Sequence, residues 1–145
     1  MKLVLQRVLR GSVSVGNEAL ASIGQGLVIL VGIGGNDNEE AVQFLAEKVA
    51  NLRIFEDEYG KMNCSIREIH GEALVISQFT LYADTHKGRR PSFTDAALPE
   101  IAKPLVDLFA QKLIELGIPT KCGQFGAHMI VEIMNDGPVT ILLDG

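Results

Sequence analysis

The first 33 residues constrain the fold most strongly, because they hold three apolar, strand-like stretches separated by short glycine turns. Leu and Val dominate residues 3 to 15, and the turns Gly-Asn at 16–17 and Gly-Gln-Gly at 24–26 bound the two stretches that follow. Glycine and asparagine tolerate the positive φ angles of tight turns, and strands joined by such turns pair antiparallel. The sequence therefore predicts an antiparallel meander, with a bend in its first strand near Gly11.

Two helices are predicted further along the chain. Apolar residues recur at helical spacing from Val42 to Leu52, after Asp37 and Glu40, which have the spacing of a capping box. A second helix is predicted over residues 99 to 116, with Gly117 at its C-terminal cap.

The remaining apolar stretches predict further strands. Residues 72 to 84 read as one strand with a buried centre, and strands are expected around residues 120–125, 129–135 and 139–143. The last two are expected to form a hairpin with its turn at residues 136–138. The predicted fold is α+β, with a strongly curved antiparallel sheet or β-barrel-like core and two main helices packed on it.

Composition limits the class of protein. With 145 residues, 47% of them hydrophobic, residues 1 to 145 are expected to form a single domain. The formal net charge of −5 excludes a global basic field, so any contact with nucleic acid is expected to be local. The longest apolar run, residues 26 to 35, is about half of the ~20 residues that a membrane helix needs. We therefore predict a soluble, cytoplasmic protein without membrane contact.

Motifs for nucleotides and metals are incomplete. The segment GIGGND at residues 32–37 follows a strand and precedes a helix, but Asp37 stands where a dinucleotide fingerprint requires glycine. The three histidines lack metal-ligand spacing, and Cys64 and Cys122 form no CxxC pair. No metal and no cofactor are predicted.

The segment THKGRRP at residues 85–91 is a local basic run in an acidic chain. Short basic runs are common on solvated loops. The same residues would also suit a local phosphate contact beside whatever the preceding strand presents. Both interpretations are open at this point.

The segment SQFT at residues 77–80 is the strongest candidate for reaction chemistry. Ser77 or Thr80 would be the nucleophile in one hypothesis, but no nearby residue in sequence supplies the base that a hydroxyl needs, and no GxSxG elbow surrounds either. In the alternative, backbone N–H groups leaving the strand form an oxyanion hole, which requires no particular side chain.

Three segments together resemble the D-aminoacyl-tRNA deacylase family. They are LQRV at residues 5–8, SQFTLYADTHKGRRPSF at 77–93 and NDGPVT at 135–140. The resemblance covers essentially the whole chain, and the segments beginning SQFTL and NDGPVT have the family's order and separation. It implies a β-barrel-like homodimer with active sites at the subunit interface, acting on D-aminoacyl-tRNA.

The resemblance also assigns roles to residues. Ser77, Gln78, Phe79 and Thr80 are expected to line the catalytic pocket, with backbone N–H groups near Phe79 and Thr80 receiving the ester carbonyl. The Gly-Pro pair at 137–138 is expected to be a cis peptide that enters the pocket of the other subunit and rejects L-amino acids by collision. Glycine has no side chain to exclude, so glycyl-tRNA, such as mischarged tRNA-Ala, is an expected second substrate.

The remaining assignments complete the expected site. Arg7 is expected to hold the Gly-Pro segment, and Phe125 and Met129 to flank the terminal adenosine or the aminoacyl group. The family implies that the 2′-OH of the terminal ribose assists catalysis. The alternatives are a non-catalytic RNA-binding barrel, or a hydrolase in which Thr80 or Ser77 is a side-chain nucleophile.

Overall fold

The computed structural model describes residues 1 to 145 and contains two α-helices, one 3-10 helix and eight strands. Neither α-helix has the length and hydropathy needed to cross a membrane. The helices are α1 (Glu39–Asn51), the 3-10 helix (Phe79–Tyr82) and α2 (Pro99–Glu115). The strands are β1 (Lys2–Val15), β2 (Glu18–Ile23), β3 (Gly26–Gly32), β4 (Phe55–Glu56), β5 (Met62–Cys64), β6 (Glu72–Ser77), β7 (Thr120–Cys122) and β8 (Ile130–Asp144).

The long strand β1 organises the main sheet because it pairs with three other strands. Residues 2–8 pair with β3 and residues 11–15 pair with β2, while the opposite edge of β1 pairs with β8; all three pairings are antiparallel. The change of partner occurs at Gly11, where a Cβ atom would lie 2.6 Å from a Val28 methyl carbon. β1 pairs antiparallel with both following strands, but β2 and β3 do not pair with each other because β1 lies between them in the sheet. The strand direction is therefore as predicted, whereas the predicted meander order is wrong.

The other half of the sheet is parallel. β3 pairs parallel with β6, and β6 pairs parallel with β7. Parallel neighbours require a long crossover, and α1 and α2 lie in the two connections. The prediction of an antiparallel sheet is therefore wrong for this half, whereas the α+β class with two main helices is confirmed.

The sheet curves until its two ends approach each other. The Lys121 ammonium group of β7 donates to the Ser22 carbonyl oxygen of β2 at 2.6 Å. The Glu72 carboxylate of β6 accepts a hydrogen bond of 2.6 Å from the backbone N–H of Gly24, just after β2. These contacts give the nearly closed, barrel-like sheet that the sequence predicts.

Both helices pack against one face of this sheet and form the main core. Leu45 and Val49 of α1 and Phe109 and Leu113 of α2 are fully buried together with Leu5 of β1. Burying side chains of this size stabilises the fold by about 1.5–3 kcal/mol each. The first turn of α2 is thereby held beside the end of the sheet where the parallel strands finish.

The ends of the helices follow the predictions in part. α2 begins at Pro99, and Gly117 beyond its end has φ of +87°, as expected for the predicted cap. α1 is capped by Asn38, whose side chain accepts from the Ala41 N–H at 3.0 Å. The predicted capping box from Asp37 is wrong, because that carboxylate makes contacts outside the helix.

The strand predicted over residues 72 to 84 ends at Ser77. Ser77 pairs with Val31 near the end of β3, and the Gln78 N–H donates to the Val31 carbonyl at 2.7 Å. Beyond this point β3 offers no further partner. The chain therefore turns into the 3-10 helix.

The last two predicted strands are one strand, β8. Gln6 pairs with Thr140 and Val8 pairs with Asn135, so the four residues 136–139 lie opposite the single residue Arg7 of β1. The expected hairpin turn at residues 136–138 is therefore wrong: the segment is a bulge inside a continuous strand. β1 is long enough to pair on both sides of the bulge, and this keeps the strand direction unchanged.

Candidate active site

The parallel strands β3, β6 and β7 all end at one edge of the sheet. Ligands in sheets of this kind bind outside the carboxyl ends of the strands, where side chains and free backbone groups meet. A cavity of about 600 Å³ lies at this edge, and 14 of its 19 lining residues are hydrophobic. This size is typical of a pocket for a small organic group.

The cavity gathers five of the predicted site residues. Ser77, Gln78 and Phe79 form one wall, and Phe125 and Met129 lie in the same lining. Thr80 follows at the rim, where its hydroxyl oxygen accepts a hydrogen bond from the Gln78 side-chain amide. The residues that line the cavity come from four separate parts of the chain, so the fold brings them together.

Two backbone donors at the start of the 3-10 helix are free. The first N–H groups of a helix have no acceptor within it, and no side chain caps this one. The neighbouring Gln78 N–H is used by Val31, and the Leu81 N–H donates to the Gln78 carbonyl at 3.2 Å. The N–H groups of Phe79 and Thr80 are therefore available to an external oxygen atom at the cavity.

The hydroxyl groups at the cavity have no general base as a partner. No hydrogen bond joins Ser77 or Thr80 to a histidine or a carboxylate, and the Thr80 hydroxyl is engaged by Gln78. His128 also lines the cavity and is exposed to solvent. The arrangement can stabilise negative charge on an oxygen atom through main-chain donors, but it has no assembled serine or threonine triad.

Aromatic and sulfur-containing side chains give the cavity its apolar walls. Phe79 and Phe93 contact edge to face, with ring centroids 5.1 Å apart. Met129 packs against Gly123, where a Cβ atom would lie 2.6 Å from the Met129 sulfur. Sequence reasoning missed Phe93 as a site residue, although it closes the same segment, SQFTLYADTHKGRRPSF, that carries Phe79.

A hydrogen-bonded cluster anchors the other end of the 3-10 helix. The Tyr82 hydroxyl donates to the Asp37 carboxylate at 3.2 Å, and the Gly34 N–H donates to the same carboxylate at 2.6 Å. The α-ammonium group of Met1 also binds Asp37, and Lys2 lies over the Tyr82 ring at 4.7 Å. Burial and then the Asp37 carboxylate raise the pKa of the Tyr82 phenol, which therefore remains a donor.

The predicted substrate-binding residues Arg7, Gly137 and Pro138 form a second cluster away from the cavity of the same chain. The buried Arg7 guanidinium donates from Nε to the Asp136 carbonyl at 3.0 Å and from Nη1 to the Ile54 carbonyl at 2.8 Å. The Gly137-Pro138 bond is cis, and both residues are exposed. The fold thus separates this cluster from the Ser77–Thr80 group, because Arg7 pairs with Leu27 near the start of β3, whereas Ser77 pairs with Val31 near its end.

Comparison with known proteins identifies the family. The model of the D-Tyr-tRNA(Tyr) deacylase family matches residues 4–144. The chain belongs to this family. Deacylases are hydrolases, so the protein is a member of a family of hydrolytic enzymes.

Relatives within the family match over nearly the full length. A D-aminoacyl-tRNA deacylase of Roseiflexus sp. (strain RS-1) is 62% identical over 99% of this chain and 93% of its own length. A protein of the same name from Desulforamulus reducens is 54% identical over 99% of this chain and 97% of its own.

Solved structures also resemble this fold. The c-Myc DNA unwinding element binding protein superposes with a TM-score of 0.93 at 42% identity and covers 100% of this chain and 99% of its own. A probable eukaryotic D-amino acid tRNA deacylase superposes with a TM-score of 0.85 at 16% identity, covering 98% and 97%. The second similarity bears on the fold alone.

The Asp37–Tyr82 contact generates a test of the deacylase site. We expect Tyr82→Phe to lower kcat roughly tenfold with little change in KM, because a hydrogen bond to a carboxylate stabilises by about 1.5–3 kcal/mol and its loss frees the helix that carries the Phe79 and Thr80 N–H groups. Steady-state deacylation kinetics measure this. Tyr59→Phe is the matched control, since Tyr59 is exposed and does not line the cavity; equal kcat values for the two variants would contradict the anchoring role.

Proposed function

We propose that this protein hydrolyses the ester between a D-amino acid, or glycine, and the 3′ end of tRNA, releasing the free amino acid and the tRNA. The observation that supports this most directly is the pair of free N–H groups at Phe79 and Thr80, which lie at the start of the 3-10 helix beside an apolar cavity that lacks a nucleophile–base pair. Membership of the deacylase family and the names of its members agree with this chemistry. Such a substrate places the activity in the cytoplasm.

The reaction needs little from side chains because an aminoacyl ester is already reactive. Water attacks the carbonyl carbon and places negative charge on the carbonyl oxygen, and two main-chain donors that need no reorganisation stabilise that charge. The tetrahedral intermediate then breaks its bond to the ribose 3′ oxygen, which takes up the proton that water gives up and leaves as the 3′-OH of the tRNA. The ribose 2′-OH beside the ester assists the attack in our proposal. Phe125 and Met129 hold the terminal adenosine or the aminoacyl side chain, so positioning of the substrate supplies the remaining rate acceleration.

The activity is tested with matched esters. We expect D-tyrosyl-tRNA and glycyl-tRNA on tRNA-Ala to be hydrolysed, and L-tyrosyl-tRNA to react at least about 100-fold more slowly, because a steric collision removes binding of the L form in the transition state. Release of labelled amino acid measures the rates. Equal rates for the D and L esters would refute chiral selection while leaving hydrolysis intact.

The role of the hydroxyl groups is tested by substitution. We expect Ser77→Ala and Thr80→Ala each to retain at least about a tenth of wild-type kcat, since the proposed donors are backbone N–H groups. Loss of a true nucleophile costs about 10⁴–10⁶ in kcat. A loss of that size in either variant would instead identify the substituted hydroxyl as the nucleophile.

Chiral selection in our proposal comes from the Gly137-Pro138 backbone of the other subunit of a homodimer. Three features support this. The segment bulges out of β8, it is exposed, and Arg7 fixes it by donating a hydrogen bond to the Asp136 carbonyl oxygen. Gly137 has φ of +124°, and a Cβ atom there would lie 3.1 Å from the Arg7 guanidinium. A side chain at this position is therefore strained and crowded, and the backbone remains bare.

The shared site is tested by mixing two variants and following hydrolysis of the L ester. Ala127→Trp fills the cavity and leaves the bulge intact, whereas Gly137→Val alters the bulge and leaves the cavity intact, so it is expected to hydrolyse the L ester as well as the D ester. In a mixed dimer the intact cavity receives an intact bulge and regains selection. With half the dimers mixed, L-ester hydrolysis by an equimolar mixture is expected to fall to about half of what the same amount of Gly137→Val protein gives alone. An unchanged L-ester rate when sedimentation shows mixed dimers, or full chiral selection by a monomer, would disprove the shared site.

A second candidate is nucleic-acid binding without catalysis. The observation that favours it is the similarity to a protein named as a DNA unwinding element binding protein. The matched esters decide between the two functions, because a binding protein would hold tRNA equally well with any aminoacyl group and release no amino acid.

A further inference from the structure

The segment of residues 85–91, here called the basic loop, begins and ends at the rim of the cavity. Asp84 and Ser92 close its base with two backbone hydrogen bonds of 2.8 and 2.9 Å. Just outside that base lie the 3-10 helix and Phe93, and the rings of Phe79 and Phe93 contact each other in the cavity wall. The loop is therefore held at a defined place beside the cavity, with every residue exposed.

The cations of the basic loop are free of carboxylates. Lys87, Arg89 and Arg90 make no ion pair, whereas Lys103 and Lys112 on α2 each pair with an acid on the same helix. Unpaired guanidinium and ammonium groups can bind an external anion without first breaking a contact.

The acid next to the loop in sequence, Asp84, is already engaged. The Asp84 carboxylate accepts from the His86 N–H at 2.9 Å and contacts the His86 ring nitrogen Nδ1 at 2.6 Å. These hydrogen bonds lower the pKa of Asp84. The carboxylate is thus turned onto the loop backbone and leaves the three cations unneutralised.

We propose that Lys87, Arg89 and Arg90 bind phosphate groups of the tRNA 3′ strand where it leaves the cavity. The inference rests on the proposed function and extends it, because it names the part of the substrate that gives affinity. The chain carries a net charge of −5, so tRNA cannot be held by a general basic surface and needs a local cluster. Contacts to phosphate are independent of sequence, which suits an enzyme that meets many tRNAs.

The test compares a full substrate with a minimal one. The variant K87S/R89S/R90S is assayed with D-tyrosyl-tRNA and with the D-tyrosyl ester of adenosine, which lacks phosphate. We expect KM for the tRNA ester to rise at least about tenfold with kcat nearly unchanged, and the plot of log(kcat/KM) against log salt concentration to become shallower by about 2, since each contact to a single strand contributes about 0.7. The adenosine ester is expected to react as with wild type.

The control variant K48S/K61S/R67S removes the same charge from exposed positions that neither line the cavity nor form ion pairs. It is expected to keep the wild-type KM and salt dependence. An unchanged KM and salt slope in the loop variant would overturn the proposal, and so would an equal loss with both esters or an equal effect of the control.

Binding of tRNA that carries no amino acid tests the phosphate contact separately from the proposed hydrolysis. Filter binding does not require hydrolysis, and we expect the loop variant to bind at least about tenfold more weakly than wild type or the control. If no ester is hydrolysed but this difference appears, the proposed function fails and the phosphate contact stands. If hydrolysis is normal and the difference is absent, the phosphate contact fails and the function stands.

Discussion

The close parallel pairing of β3 with β6 is the contact on which the rest of the structure depends. At its start the two backbones approach so nearly that a Cβ atom on Gly26 would lie 1.8 Å from the Glu72 carbonyl oxygen. This start sets the register that places Ser77 opposite Val31 at the other end. Because β3 then stops, the chain must turn, and the turn leaves two N–H groups unpaired beside the cavity. The two N–H groups proposed for catalysis are therefore free because β6 has no pairing partner beyond the end of β3.

Local patterns were sufficient for about half of the fold. The antiparallel pairing of β1 with β2 and β3, both α-helices and the glycine cap at Gly117 follow from turn chemistry and periodicity within short windows. The parallel pairings could not be predicted in this way, because an apolar run buried on both faces does not reveal the direction of its neighbouring strands. The bulge at residues 136–139 was mistaken for a hairpin because its residues favour turns; only the length of β1, more than 120 residues away, keeps both halves in one strand.

The candidate site also contains residues that the sequence could predict and residues that it could not. Ser77, Gln78 and Phe79 are neighbours in sequence, so one segment predicted that wall of the cavity. The assignments of Arg7, Phe125 and Met129 came from resemblance to a family rather than from spacing, and their roles remain predictions. The Asp37–Tyr82 contact was missed because it joins residues 45 positions apart through ordinary side chains that form no motif. Sequence reasoning finds reactive residues that are neighbours in the chain. It overlooks distant residues whose contacts hold them in position.

The separation of the two clusters within one chain has a consequence for specificity. Arg7 is buried and uses its guanidinium group on the Asp136 and Ile54 carbonyls, so the bulge is held from beneath and faces outward. In our proposal, a bulge presented in this way acts on the cavity of the other subunit and not on that of its own chain. Under the proposed function, hydrolysis and rejection of the L form therefore belong to different subunits. Loss of the assembly would remove chiral selection even where the backbone donors at Phe79 and Thr80 were intact, and the accuracy of the enzyme would depend on its association.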